Sequence, residues 1–188
     1  QLRVDWVCTG YNAKFGKKLR IFEEGAGEGN FLKEIKQELA RKGIHAQTTG
    51  ISIGGSHELV KKRQKKHVDR IAFAPMEKFL AGKKQHLIIG VSSAFEYMQY
   101  GAYGKSIAKR HLLRNALLKH AYSLENGGIA LIGFKRHSPV YNDFEKSFEK
   151  IKASMRKKGF EIRHFEIREE FAKAHSIPET VLMIERMH

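Results

Sequence analysis

The chain carries 35 Lys and Arg against 20 Asp and Glu over 188 residues, a net charge of +15, with 41% hydrophobic residues and one cysteine, Cys8. That length suits a single domain over 1–188 with a real hydrophobic core. The lone cysteine excludes an internal disulfide framework, and no apolar run reaches the roughly 18 residues that cross a bilayer. The opening QLRVDWVCTG lacks the charged-then-apolar layout of a secretory signal and lacks an initiator Met. The expectation is a soluble, cytoplasmic, non-secreted chain whose short segment 1–17 is a processed or trimmed start.

KLRIFEE (18–24) reads as a buried strand, and NFLKEIKQELARKG (30–43) as an amphipathic helix stopped by Gly43. IHAQTTGISI (44–53) is β-branched and reads as a strand. SHELVKKRQKKH (56–67) follows as a helix with Ser56 as its cap. DRIAFAP (69–75) is a short strand closed by Pro75, and QHLIIGVSS (85–93) is the most apolar strand of the chain. From Lys105 to Tyr122 an apolar stripe of Ile107, Leu112, Leu113, Leu117 and Leu118 predicts a helix. The Gly-Gly pair then announces a strand, GGIALIGF (127–134). DFEKSFEKIKASMRKKG (143–159) is helical, FEIRHFEIR (160–168) alternates as a half-exposed strand, and TVLMIERM (180–187) is the last strand. There is no internal repeat. This order predicts a doubly wound α/β fold: a seven-stranded, mostly parallel sheet with helices on both faces and an antiparallel last strand.

The basic excess recurs along the chain as KKRQKKH (61–67), KRHLLR (109–114), FKRH (134–137) and MRKK (155–158). Such charge suits a polyanionic partner, or is simply a solvated surface. An RNA partner would use Lys61, Lys62, Arg63, Lys65 and Lys66 together with Lys109, Arg110 and Arg114. The ten histidines show no metal-ligand spacing, and His111, His120, His137 and His164, set among basic residues, read as surface.

Between the first strand and its helix lies EEGAGEG (23–29). Ligands of doubly wound sheets sit beyond the carboxyl ends of the strands, and glycines there admit positive φ and close approach of the backbone. No Gly-Lys-Ser/Thr ending follows, as a phosphate loop would need, and position 30 is Asn where a dinucleotide fingerprint needs glycine. The alternating Gly25, Gly27 and Gly29 behind Glu23 resemble the first motif of the class I S-adenosylmethionine-dependent methyltransferases. HLIIGVSSAFEYM (86–98), HAYSLENGGIALIGF (120–134) and VLMIERM (181–187) resemble that family's fourth strand, fifth strand and last strand, so the likeness covers most of the chain.

The resemblance implies a methyltransferase with S-adenosylmethionine as cofactor. In it Glu23 would hold the methionine ammonium, usually through water, and Gly25, Gly27 and Gly29 would line the methionine and ribose. Ser52 stands where an acid normally grips the ribose, Pro75 where an acid meets the adenine amino group, and His86 where the fourth strand commonly begins with Asp. Met76 and Glu77 are the available adenine contacts. Val91 and Ser92 at the end of the fourth strand would face the reacting methyl, with Ser93, Phe95, Tyr97 and Tyr100 toward the acceptor. Glu96 is the candidate general base, or a helix-entry carboxylate without a chemical role. The aromatic cluster of Phe95, Tyr97, Tyr100 and Tyr103 packs as core or lid, or stacks a base. The acceptor stays open between a small molecule and RNA. The competing class is a non-catalytic, methyltransferase-like binding or scaffold protein, for which the three missing acids speak.

Overall fold

The computed structural model describes residues 18–26, 29–52, 62, 65–73, 84–90, 117–134, 139–174 and 178–187. They contain strands β1 (Leu19–Glu24), β2 (Ala46–Ser52), β3 (Arg70–Phe73), β4 (Gln85–Gly90), β5 (Leu124–Phe134), β6 (Phe160–Glu166) and β7 (Thr180–Arg186). The helices are α1 (Asn30–Arg41), α2 (Pro139–Arg156) and α3 (Glu169–Ala174), and residues 62, 65–67 and 117–122 are also helical. The sheet runs in the order β3-β2-β1-β4-β5-β7-β6, the mostly parallel, seven-stranded arrangement expected from the sequence. The chain divides into two compact units, Gln1–Phe79 and Leu80–His188. No described helix is long and apolar enough to cross a membrane.

In the first unit β1 pairs parallel with β2, and β2 parallel with β3. Burial of Leu19, Ile21 and Phe22 matches the near-continuous apolar run of a strand covered on both sides. Helix α1 turns Leu32, Ile35 and Leu39 inward at helical spacing. It ends as expected at Gly43, whose φ is +73°, with Ile44 N–H donating back to the Leu39 carbonyl at 2.9 Å.

Asp69 holds this unit together in a way the sequence did not announce. Its Oδ2 accepts from the Thr48 N–H at 2.8 Å and from the Thr48 hydroxyl at 3.0 Å, its own N–H donates to Thr48 Oγ1 at 3.1 Å, and Oδ1 meets the Lys36 ammonium. Thr48 is fully buried in β2, so these bonds satisfy polar atoms that water cannot reach. Burial pushes the Asp69 carboxyl up, but the Lys36 ammonium and the Thr48 donors outweigh it and hold its pKa below the usual 3.8. Asp69→Ala is expected to cost about 2 kcal/mol by orphaning the Thr48 donors. In the parent that stabilisation is present above the ordinary carboxylate pKa and is lost as pH falls through the lower folded value. Urea unfolding of both proteins at pH 7 and near pH 3 measures it; a pH-independent difference would count against the charged pairing.

In the second unit all six residues of β4 are buried. It pairs parallel with β5, while β7 runs antiparallel to both β5 and β6. Strand β5 starts at Leu124, ahead of the expected Gly127, because the Gly-Gly pair forms a bulge inside the strand instead of a turn before it. Pairing steps from Gln85↔Leu124 to Leu87↔Ile129. A Cβ on Gly128 would lie 2.8 Å from the Glu125 carbonyl oxygen, so the bulge needs a bare α-carbon. Helix α2 starts at Pro139, earlier than the periodicity suggested, with proline at its first helical position. It packs on the sheet through a run of rings: Phe134 stacks on Phe144 at 5.3 Å, Phe144 meets Phe148 at 5.2 Å, and Phe148 meets His164 edge-on at 4.8 Å.

Two details depart from expectation. Helix α3 lies in a stretch that the sequence left unassigned. His120 is buried, at 8% exposure, and not at the surface as expected. It stands one helical turn after the buried Leu117 and next to the buried Ala121, so the helix carries it inward. His164 is exposed as read, and His111 and His137 lie outside the described residues.

Candidate functional site

Strand β1 ends in two consecutive carboxylates, Glu23 and Glu24, both buried, at 7% and 5% exposure. Successive strand residues point to opposite faces, so burial of both means that both faces are covered at this level. Glu23 Oε2 is buried and has no hydrogen-bond partner among the described residues. Desolvation by burial pushes its carboxyl up from 4.5 to about 7. An unpaired buried carboxylate is costly to keep, and at the end of a strand it marks a place where a cationic or donor group would be welcome.

The turn that follows is built for close backbone approach. Gly25 has φ +71°. Ala26 is buried, and its N–H donates to the Ile51 carbonyl of β2 at 3.0 Å. Space for Ala26 comes from Gly50, where an added Cβ would sit 2.7 Å from Ala26 Cβ. Gly29, in the left-handed region with φ 78° and ψ 13°, precedes α1 without a side-chain cap, and no acid stands in the first turn of that helix. The helix therefore presents its positive end toward the turn without a carboxylate of its own. Gly29 also has a packing reason to be glycine, since its Cβ would meet Val68 Cγ2 at 2.6 Å.

Glu23, Gly25 and Gly29 thus come together around one turn. Ser52 is the last residue of β2, parallel to β1, with its backbone opposite Phe73 of β3. His86 is the second residue of β4 and is buried in the second unit. Gly27, Pro75, Met76, Glu77, Val91, Ser92, Ser93, Phe95, Glu96, Tyr97, Tyr100 and Tyr103 lie outside the described residues. Of the basic positions, Lys62, Lys65 and Lys66 are described and exposed; Lys61, Arg63, Lys109, Arg110 and Arg114 are not described. No group of three or more metal-ligating side chains comes together among the described residues. Sequence reasoning missed Asp69, whose only signal was an acid just before a strand that neighbours the threonines of β2.

No protein-family model matches the sequence, and no curated protein matches it. Solved structures do match. A protein described as a class I S-adenosylmethionine-dependent methyltransferase from Listeria monocytogenes aligns with 100% of this chain and 59% of its own, at 16% identity and TM-score 0.67. The N-methyltransferase NodS from Bradyrhizobium japonicum aligns over 100% of this chain and 96% of its own, at 13% identity and TM-score 0.59. Magnesium protoporphyrin IX methyltransferase from Synechocystis, solved with bound S-adenosylmethionine, aligns over 98% and 76%, at 14% identity and TM-score 0.61. The fold is that of the class I S-adenosylmethionine-dependent methyltransferases. This chain spans 59% of the Listeria structure's length.

Proposed function

We propose that the chain is an S-adenosylmethionine-dependent methyltransferase that holds the amino-acid end of its cofactor at the carboxyl end of β1. The observation that carries this reading is the buried Glu23 Oε2 without a hydrogen-bond partner among the described residues, set beside a turn whose Gly25 has positive φ. An ammonium group, directly or through a water, is the partner such a carboxylate lacks. When bound, the cofactor supplies an already activated methyl group. The chain's share is then positioning and removal of a proton from the acceptor.

In this reading Gly25, Gly27 and Gly29 face the methionine and ribose. Ser52, Met76 and Glu77 serve the adenosine, and Val91 and Ser92 border the methyl. Ser93, Phe95, Tyr97 and Tyr100 meet the acceptor, and Glu96 takes its proton. The acceptor is a small molecule or RNA; the exposed Lys62, Lys65 and Lys66 suit the latter. The replaced acids at Ser52, Pro75 and His86 favour a second reading, a binding protein that keeps the cofactor without transferring its methyl.

Calorimetric titration with S-adenosylmethionine and with S-adenosylhomocysteine tests the common premise. The parent is expected to bind both, and Gly27→Val to lose affinity by at least roughly 100-fold, because a branched Cβ fills the space that the ligand needs. A variant that binds as well as the parent would leave the turn a purely structural feature. Binding without methyl transfer to any acceptor would select the second reading.

A further inference from the structure

Helix α2 sorts its charges by side. Phe144, Ile151 and Met155 are buried, and the helical repeat sets all three on one line. On the opposite side stand Lys146, Lys150, Ala153 and Lys157, all exposed. Lys157 still follows the helical path, since its N–H donates to the Ala153 carbonyl at 3.3 Å. Past Phe144 the acids of the helix are Glu145 and Glu149, and the repeat places both on the flank that also bears Lys152 and Arg156. The Arg163 hydrogen bond is the main reason that the Glu161 carboxyl of β6 titrates below its usual range, and Arg156 and Lys152 add to it. The mixed flank therefore lies toward β6, and the outer line carries cations alone.

A helix attracts cations to its carboxyl end through its dipole, which accounts for Arg156, Lys157 and Lys158. It does not account for Lys146 and Lys150, which sit in the middle of Pro139–Arg156. Among the described residues neither of these, nor Lys157, enters an ion pair. From Lys146 to Lys157 the line is about 16 Å long, and like charges set along it repel one another until an anion spans them.

The line has no apolar anchor. The large exposed hydrophobic side chains among the described residues are Tyr122, Phe165, Phe171 and Met187, none of them on α2. A helix that lies in a membrane surface inserts apolar side chains, and a protein interface is anchored by aromatic or other large side chains in pockets. A single nucleic-acid strand stacks its bases on aromatic rings. A duplex backbone requires none of these, only cations set along its phosphates. The line also lacks the Arg, Asn and Gln side chains with which helices read base edges in the major groove of DNA. Duplex RNA, by contrast, is held mainly through its shape and its phosphates.

We propose that the outer line of α2, formed by Lys146, Lys150 and Lys157, is a docking surface for the phosphate backbone of duplex RNA. The surface is independent of the cofactor, because α2 supplies none of the residues assigned to it.

Fluorescence anisotropy of the cofactor-free chain with a labelled RNA duplex of about 20 base pairs tests the surface. Binding is expected to weaken steeply between about 50 and 200 mM salt. Lys146→Gln, Lys150→Gln and Lys157→Gln together should weaken it at least roughly tenfold and lower the slope of log affinity against log salt by about 2–3. Arginine at the same three positions keeps the charges and should bind as the parent does, which a loss of fold would not allow. Lys18→Gln, Lys33→Gln and Arg70→Gln together remove as many exposed charges from the first unit and should lower the slope by less than about 1. An equal loss from that second set would mean diffuse attraction and overturns the proposal. So does a DNA duplex of the same sequence bound as tightly as the RNA or more so, or attachment to phosphatidylserine vesicles without RNA binding. No RNA binding at about 100 µM protein and 50 mM salt overturns it as well.

Discussion

Glu23→Gln is expected to stabilise the free protein at pH 8 and, in the same molecule, to weaken cofactor binding. The carboxyl of Glu23 is pushed by burial from 4.5 to about 7, so between these values the folded protein holds a proton that the unfolded chain has released. Stability therefore falls as pH rises through that window and is lowest above it, where the buried group must ionise. Each pKa unit is worth about 1.4 kcal/mol, which makes the full penalty on the order of 3 kcal/mol. Glutamine keeps the shape and removes the ionisation, so the variant recovers much of that energy at pH 8 and little at pH 4.5. Binding runs the other way. A carboxylate that meets an ammonium contributes more than a neutral amide can, and the variant should lose roughly 10–100-fold in affinity for S-adenosylmethionine. In the parent, affinity should drop about tenfold per pH unit below the folded pKa, with a proton released on binding near pH 6. Denaturant unfolding at two pH values, with calorimetry in buffers of different ionisation heat, separates the two effects. A variant that is less stable than the parent at pH 8 would mean that Glu23 has a structural partner. Equal affinity would place the ammonium elsewhere.

The strands were legible because their burial makes them so. β1, β4 and β7 are apolar runs between polar turns, and a sheet covered on both faces writes that pattern directly into the sequence. The bulge in β5 was not legible, because a glycine pair looks the same whether it precedes a strand or interrupts one. Only the pairing with β4, far away in the chain, tells the two apart. His120 was misread for a related reason. It follows the exposed Lys119, but Leu117, one helical turn before it, and Ala121, beside it, are both buried. At the site, the acid and the glycines were legible as a motif. Its energetics were not, since the unpaired state of Glu23 Oε2 depends on how completely the chain covers the end of β1. Asp69 was invisible for a simpler reason: an acid on the surface and an acid that satisfies a buried threonine are written with the same letter.

The glycine turn also divides into positions with different reasons to be glycine, and Gly29 is where the division can be measured. Alanine there is expected to cost about 2–4 kcal/mol of stability with no cofactor present. One part is backbone strain, since φ is +78° and a Cβ disfavours that region. The other is the approach of that Cβ to Val68 Cγ2 at 2.6 Å, and Val68 is buried and β-branched, so it has little freedom to turn away. The two parts separate in a double-mutant cycle. In a Val68→Ala background the collision is gone and only the strain remains, so Gly29→Ala should cost about 1–2 kcal/mol less there than in the parent. If the cost is the same in both backgrounds, contact with Val68 plays no part and strain alone keeps the position glycine. Gly27 is expected to behave in the opposite manner, because its proposed constraint is the ligand. Substitution there should leave unfolding of the free protein nearly unchanged and appear only when the cofactor is titrated in.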